Sequence, residues 1–308
     1  MVADNNILTS SKSRTSRKVA KGLIPFAYLS PTIILLTILS LIPIVMVFNY
    51  SLMNNVIMEK KPVFVGMANY AKLLSDKAFQ QAILNTLYFT GMSVVFHLIL
   101  GLSFAMLLNT KIISPTTRAL FRVVYLLPWV FTATIIAVLW RLMLNPNGII
   151  NYLFIFSGLA EGKIEWLSSK QLALHVVTFI NIWAGYPFYM VSLLAGLQGI
   201  PDQLYEAGTI DGANKRQLFW FITLPQLRPI ILSLAMLDFI WTMHQFTLIW
   251  MTTGGGPLRV TEMLSTFTYK MAFSSYKFSM ASTSAFIILA LSMFVALFYV
   301  RKQRASDE

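Results

Sequence analysis

The chain has 308 residues, of which 56% are hydrophobic and only 12% charged, with a mean hydropathy of +0.67. Soluble domains carry about 25% charged residues, so the composition points to a membrane protein. The absence of cysteine excludes disulfides, thiol catalysis and cysteine-ligated metals, and the three histidines (His97, His175, His244) are too widely spaced to suggest a zinc site. The net charge of +12 raises nucleic acid as a partner. In so apolar a chain the basic residues read instead as cytoplasmic flanks of membrane spans, and no nucleic-acid partner is expected.

In chain order, residues 1–22 form a basic tail with Lys12, Arg14, Arg17, Lys18 and Lys21 against one acid, Asp4. Six apolar segments then follow, each long enough for the roughly 20 residues that cross the hydrocarbon core. Residues 23–48 are the first, inside a run with no charge from Gly22 to Met58. That segment is too long for a signal peptide and lacks an A-x-A-like exit, so it reads as a retained anchor. The second lies within 78–110. The third is 123–140, between Arg122 and Arg141; the fourth is 172–197. The fifth, 230–251, carries one charge, Asp238, and the sixth, 278–300, lies between Lys277 and Arg301. Pro43, Pro128 and Pro187 fall in or near spans and can kink them, because proline removes a backbone donor.

The positive-inside rule places the tail in the cytoplasm, together with Lys111, Arg118, Lys215, Arg216, Arg301, Lys302 and Arg304. The outer loops still carry Lys60, Lys61, Lys72 and Lys77, so the bias is moderate. The expected protein is all-α and polytopic, with a transmembrane domain over 23–300, a C-terminal tail over 301–308 and both termini cytoplasmic. No internal repeat suggests a doubled transporter architecture.

Between spans four and five, residues 201–225 interrupt the apolar pattern with Glu206, Asp211, Lys215 and Arg216. Pro201 and Asp202 form a plausible helix start, and a helix over 203–210 follows. Asp211-Gly212 reads as a turn, because glycine tolerates left-handed backbone. A second helical run over 213–223 leads to Pro225 and Pro229. A lipid-resting interfacial helix is the competing reading. Such a helix would be rich in Lys and Arg on its polar face, whereas the first half here is acidic. The small residues Ala207, Gly208, Gly212 and Ala213 suit close approach of another protein better than lipid.

This stretch resembles the EAA loop of permease subunits of bacterial binding-protein-dependent ATP-binding cassette importers. The matching residues are Glu206-Ala207-Gly208, Asp211-Gly212-Ala213 and Ile222-Thr223-Leu224-Pro225. Gly208 stands where the pattern has alanine, which lowers helix propensity by up to ~1 kcal/mol and predicts a looser turn. Residues 85–109 resemble the opening of the family's transmembrane domain. Thr252–Pro257 (TTGGGP), Thr261 and Tyr269–Phe273 (YKMAF) resemble the carbohydrate-importing branch.

The resemblance implies a type I importer permease fold, located in the bacterial inner membrane among its lipids. It also implies that the loop couples to a separate ATPase, with Glu206 meeting a basic residue there and Gly212 permitting the bend. The chain has no G-x-x-x-x-G-K-[ST] phosphate loop, so it is expected to be neither an ATPase nor another enzyme, and to hold no cofactor. Its expected partners are a second homologous permease, a pair of ATPase subunits and an extracytoplasmic substrate-binding protein.

The substrate path has its own candidates. Asp238, Trp241, Thr242 and Gln245 fall at i, i+3, i+4 and i+7 and share a helix face. A carboxylate, an indole and an amide there suit hydrogen bonding to sugar hydroxyls and stacking on a sugar face. Equally, Asp238 can pair with a neighbouring helix and hold the bundle together. On span four, Asn181, Ala184, Gly185, Phe188 and Ser192 share a face that fits a packing seam or a ligand wall. His97 and His244 read as packing residues. An ion-coupled secondary transporter using Asp238 is the rival function, but it leaves the loop pattern unexplained. A membrane enzyme would need a cluster of catalytic groups, which no single span supplies.

Overall fold

The computed structural model describes residues 28–54, 56–110 and 112–307, with side chains as far as Arg301. The basic tail, the first residues of the first expected span, Lys111 and the side chains of Lys302 and Arg304 lie outside the described residues. Among those described, the chain is helical, with one isolated antiparallel bridge between Met53 and Phe64.

The first span, α1 (Tyr28–Ser51), has no buried residue in its most apolar window and packs along the last helix, where Phe48 meets Phe286 at 4.8 Å. It is a peripheral helix whose apolar surface faces outward, as a lipid-facing span requires. A short helix α2 (Ala68–Leu74) leads to α3 (Lys77–Asn109), whose start is capped by Asp76 accepting from the amides of Ala78 and Phe79. The fourth span, α7 (Ala173–Gln198), packs against α3 more extensively than any other helix pair. Gly101 makes this possible, because a methyl group there would lie 2.4 Å from Tyr189 Cβ. Ala105, Leu108, Tyr189, Met190, Leu193 and Leu227 fill the core around this contact.

The third span, expected over 123–140 with Pro128 able to kink it, is broken rather than kinked. It is two helices, α4 (Pro115–Val130) and α5 (Ala133–Met143), bent by 96° at Phe131-Thr132. Phe131 is extended, with φ −80° and ψ 144°, and the Thr132 hydroxyl accepts from the Ile135 amide, so a fresh helix begins there. Pro128, three residues before the break, lacks the amide that would bond back into α4. After it comes a short helix α6 (Ile149–Phe156).

The fifth span also differs in its bounds. Instead of 230–251, a continuous helix α9 (Lys215–Met243) rises out of the polar loop and ends at His244. Pro225 does not interrupt it, because Phe219–Thr223 widens to π-helix just before the proline. The same device, a π segment at Thr37–Leu41, precedes Pro43 in α1. A wider turn leaves room for the proline ring and takes up the missing donor.

The chain then turns at Gln245 into α10 (Thr247–Thr252) and reaches α11 (Leu264–Phe273) and the last span, α12 (Phe278–Asp307), which runs past residue 300 without a break. Between α10 and α11, Gly254 and Gly255 take φ of +61° and +89°, and the Thr261 hydroxyl donates to the Gly256 carbonyl. Asn85 of α3 donates to the carbonyls of Arg259 and Glu262, tying this glycine loop to the bundle.

Candidate functional site

The polar loop forms a helical hairpin. Its first arm, α8 (Asp202–Ile210), begins one residue earlier than the sequence suggests and has no buried residue. Asp202 lies in its first turn, where a carboxylate complements the helix dipole. The arm ends in a two-bond glycine cap: the amide of Gly212 donates to Thr209 O, and that of Ala213 to Gly208 O. Gly212 sits at φ +82°, the left-handed conformation this cap requires. Asn214 then caps α9 in a reciprocal pair with Gln217, at 3.0 and 2.8 Å.

Gly208 is not a loose point in this hairpin. A methyl group there would lie 2.7 Å from Leu218 Cδ2 and 3.0 Å from Ile222 Cδ1, so α8 is laid directly on α9. The Tyr205 hydroxyl also bonds the Thr223 hydroxyl at 3.0 Å. The opposite side of α8 is bare. Glu206, Ala207 and Asp211 are exposed, Ile210 is 85% exposed, and Glu206 forms no ion pair among the described residues. Asp202, Tyr205, Glu206, Thr209 and Ile210 border an open hollow, and Trp220 and Phe221 are exposed nearby. Ala213 and Leu224 are half-buried at the hairpin base, and Pro225 is exposed. The hairpin thus holds its shape internally while presenting an acidic and apolar face away from the bundle.

The second region is a cavity of about 290 Å³ inside the bundle, bordered by all six substrate-path candidates: Asn181, Phe188, Asp238, Trp241, Thr242 and Gln245. Gln245 reaches it from beyond the end of α9, not from the helical face the spacing suggested. Phe188 lies 5.8 Å from Trp241 and 6.0 Å from Trp129, so three aromatic rings make one wall. Trp241 is exposed, whereas Asp238 is 8% exposed.

Asp238 has partners that its own span could not reveal. Its Oδ2 lies 2.8 Å from His97 Nδ1 on α3 and accepts from the Tyr189 hydroxyl on α7 at 3.1 Å. Its Oδ1 accepts from Thr242 at 2.8 Å. His97 Nε2 lies 3.0 Å from the carbonyl oxygen of Asn181, while the Asn181 amide donates to Ser93. A methyl group on Gly185 would fall 2.3 Å from His97 Nε2, so glycine makes room for the ring. Removing one partner of such a buried pair costs about 3–5 kcal/mol in general. His97 and Tyr189 were invisible as site residues in the sequence. The available signal was His97 standing as the one histidine in a second segment free of Asp, Glu, Lys and Arg. His244 is exposed and not packed in the core; its ring bonds the Ile240 carbonyl of its own helix and meets the Ser292 hydroxyl of α12 at 3.4 Å.

Among the described residues, no group of three or more His, Asp or Glu side chains could hold a metal ion.

Bent and straight spans around an aromatic-walled cavity, with a hairpin standing off the bundle, define a polytopic helical permease. Residues 97–305 match the family described as binding-protein-dependent transport system inner membrane component, and the chain belongs to that family. Permeases of this family are transport subunits and not enzymes. The chain is 31% identical over 305 residues to the trehalose/maltose transport system permease protein MalF of Thermococcus litoralis, covering 98% of each chain. It is also 31% identical to a probable permease protein, YurN, of Bacillus subtilis, over 93% of this chain and 98% of that one. A solved bacterial importer of the acidic polysaccharide alginate shares the fold, with a TM-score of 0.82, 23% identity and coverage of 95% of this chain and 99% of that chain.

Proposed function

We propose that this chain is one of two permease halves of an ATP-driven saccharide importer, coupled to a cytoplasmic ATPase through the 201–225 hairpin. The observation that carries the coupling role is α8: a helix without one buried residue, held rigid by a glycine cap and by Gly208 packing, inside the stretch that resembles the EAA loop. Glu206, Ala207, Asp211 and Gly212 form the outward contact. Gly208 lays α8 on Leu218 and Ile222, Ala213 completes the glycine cap, and Leu224 and Pro225 lie where the second arm runs on into the fifth span. A lipid-resting role fits poorly, because the bare face is acidic.

The saccharide reading rests on the aromatic wall of the cavity and on the maltose and trehalose named for the Thermococcus relative. Trp241, Phe188 and Gln245 are the groups available to stack on and hydrogen-bond a polyhydroxy ligand. The remaining partners are a second homologous permease and an extracytoplasmic binding protein. A related importer was solved with an alginate pentasaccharide-bound periplasmic protein. The orientation with both termini cytoplasmic puts the hairpin on the ATPase side. Family membership and the three hydrogen-bonding partners already on Asp238 weigh against an ion-coupled transporter.

The test is recovery of an ATP-binding subunit with the purified chain, compared between the native protein and Glu206→Lys or Gly212→Pro. Loss of the ATPase in both variants supports the coupling role; retained assembly and ATP-dependent uptake in both counts against it.

A further inference from the structure

Sequence leaves Asp238 divided between touching the ligand and holding the bundle, and reads His97 only as a packing residue. Its hydrogen bonds divide the work differently. The Asn181 carbonyl can only accept, so His97 Nε2 carries a hydrogen. The other ring nitrogen, Nδ1, faces Asp238 Oδ2 at 2.8 Å, so the imidazole and the carboxylate share one further proton. With that proton on either side, the pair carries no net charge. Tyr189 and Thr242 occupy further acceptor positions of the carboxylate. The pair lies at the edge of the cavity, with His97 only 2% exposed, and the exposed Trp241 is one helical turn along α9 from Asp238.

We infer that His97 is a positioning residue of the translocation pathway. It neutralises Asp238 inside the protein, withdraws that carboxylate from ligand binding, and clamps spans two, four and five together so that Trp241 faces the cavity. This inference rests on the reading of that cavity as the pathway, and it departs from the expectation that Asp238 itself meets the ligand. A buried charge stripped of its partner in a low-dielectric bundle is strongly disfavoured. Loss of His97 strands the carboxylate, and loss of Asp238 takes away the ring's cross-helix partner; each loosens the same three-helix junction, and losing both adds little.

The absence of cysteine permits a test that needs no ligand. Gln245→Cys places one thiol in this chain, at the cavity. Its rate of modification by a membrane-impermeant maleimide is measured in the assembled importer, with partner permease, ATPase and binding protein present. His97→Leu and Asp238→Asn are each expected to change that rate by about tenfold, and the double variant to stay within about threefold of the larger single effect, as coupled sites do. The exchange His97→Asp with Asp238→His is expected to return the rate towards the native value. If His97→Leu does not assemble, His97→Gln, which keeps a donor but cannot serve as a counter-ion, takes its place.

An effect of Asp238→Asn with none from His97 variants, multiplicative effects, or no rescue on exchange overturns the proposal. Unchanged rates in both single variants overturn it too, because a clamp of purely structural weight would not move cavity access. The pathway reading is tested separately by uptake of radiolabelled maltose with Trp241→Ala. Its failure there leaves the coupling between His97 and Asp238 to be judged by the labelling rates alone.

Discussion

Gly101→Ala is the smallest change that probes how the bundle is held. A methyl group at that position lies 2.4 Å from Tyr189 Cβ, 3.0 Å from the Met190 amide nitrogen and 3.1 Å from the Tyr189 carbonyl carbon. Relaxed carbon contacts lie at about 3.5–4.0 Å, so the clash amounts to roughly 1 Å. None of the three atoms belongs to a side-chain end that can rotate away, so α3 and α7 must separate. Overpacking of this kind costs about 1–3 kcal/mol, and it falls beside the tyrosine that bonds Asp238. Gly91, on the same helix, supplies the control, since a methyl group there meets nothing within 4 Å. Alanine at Gly91 gains up to ~1 kcal/mol of helix propensity. The assay is the thermal unfolding midpoint of the purified importer, paired with uptake. Gly101→Ala is expected to lower the midpoint and Gly91→Ala to leave it unchanged or raise it. Equal midpoints for the two variants refute the close approach of α3 and α7.

Other substitutions probe the polar hairpin and the glycine loop. Gly212→Ala meets no atom, but an L-residue at φ +82° costs about 1–2 kcal/mol, so ATPase recovery with the purified chain should fall without loss of the chain itself. Gly208→Ala sets a gain in helix propensity of up to ~1 kcal/mol against a shift of the flexible end of Leu218. Its expected outcome is retained ATPase binding, measured by the same recovery. Asn214→Ala removes the cap of α9 and should destabilise the hairpin by about 1 kcal/mol, seen as faster proteolysis between Gly212 and Leu218. Between α10 and α11, Glu262 is buried and bonded to Lys270 at 2.8 Å, with Arg259 at 3.7 Å. Lys270→Met leaves that carboxylate short of a donor and should cost about 1–3 kcal/mol, read from the unfolding midpoint.

Hydrophobic length alone located the spans, because lipid requires an uninterrupted apolar run and few charges break these runs. It could not place their ends. The break at Phe131-Thr132 carries no charge, and Pro128 nearby signals a kink but not the fresh helix that restarts at a threonine cap. The fifth span begins in the polar loop because a π turn absorbs Pro225, and a proline in sequence reads as a stop. The hairpin was legible because its signals are local: an acid at the start and Asp-Gly at the turn; the Asn214 cap, which starts the second arm at Lys215 and not at 213, was not read. The loose turn expected at Gly208 was read from propensity, which knows nothing of Leu218 and Ile222 lying against it. The pairing of His97 with Asp238 spans 141 residues of sequence, and no local pattern announces it. Gln245 arrived at the cavity for a reason other than the one its spacing suggested, since the helix ends before it.

The central claim is that the bare face of α8 seats on a cytoplasmic ATPase. In the cysteine-free chain, Ala207→Cys places one thiol in the middle of that face. A short bifunctional thiol reagent, applied to the assembled importer, should join this chain to the ATP-binding subunit, with a yield that changes when ATP is added. A thiol at Ala207 that reacts freely with small reagents yet never joins the ATPase would contradict the account.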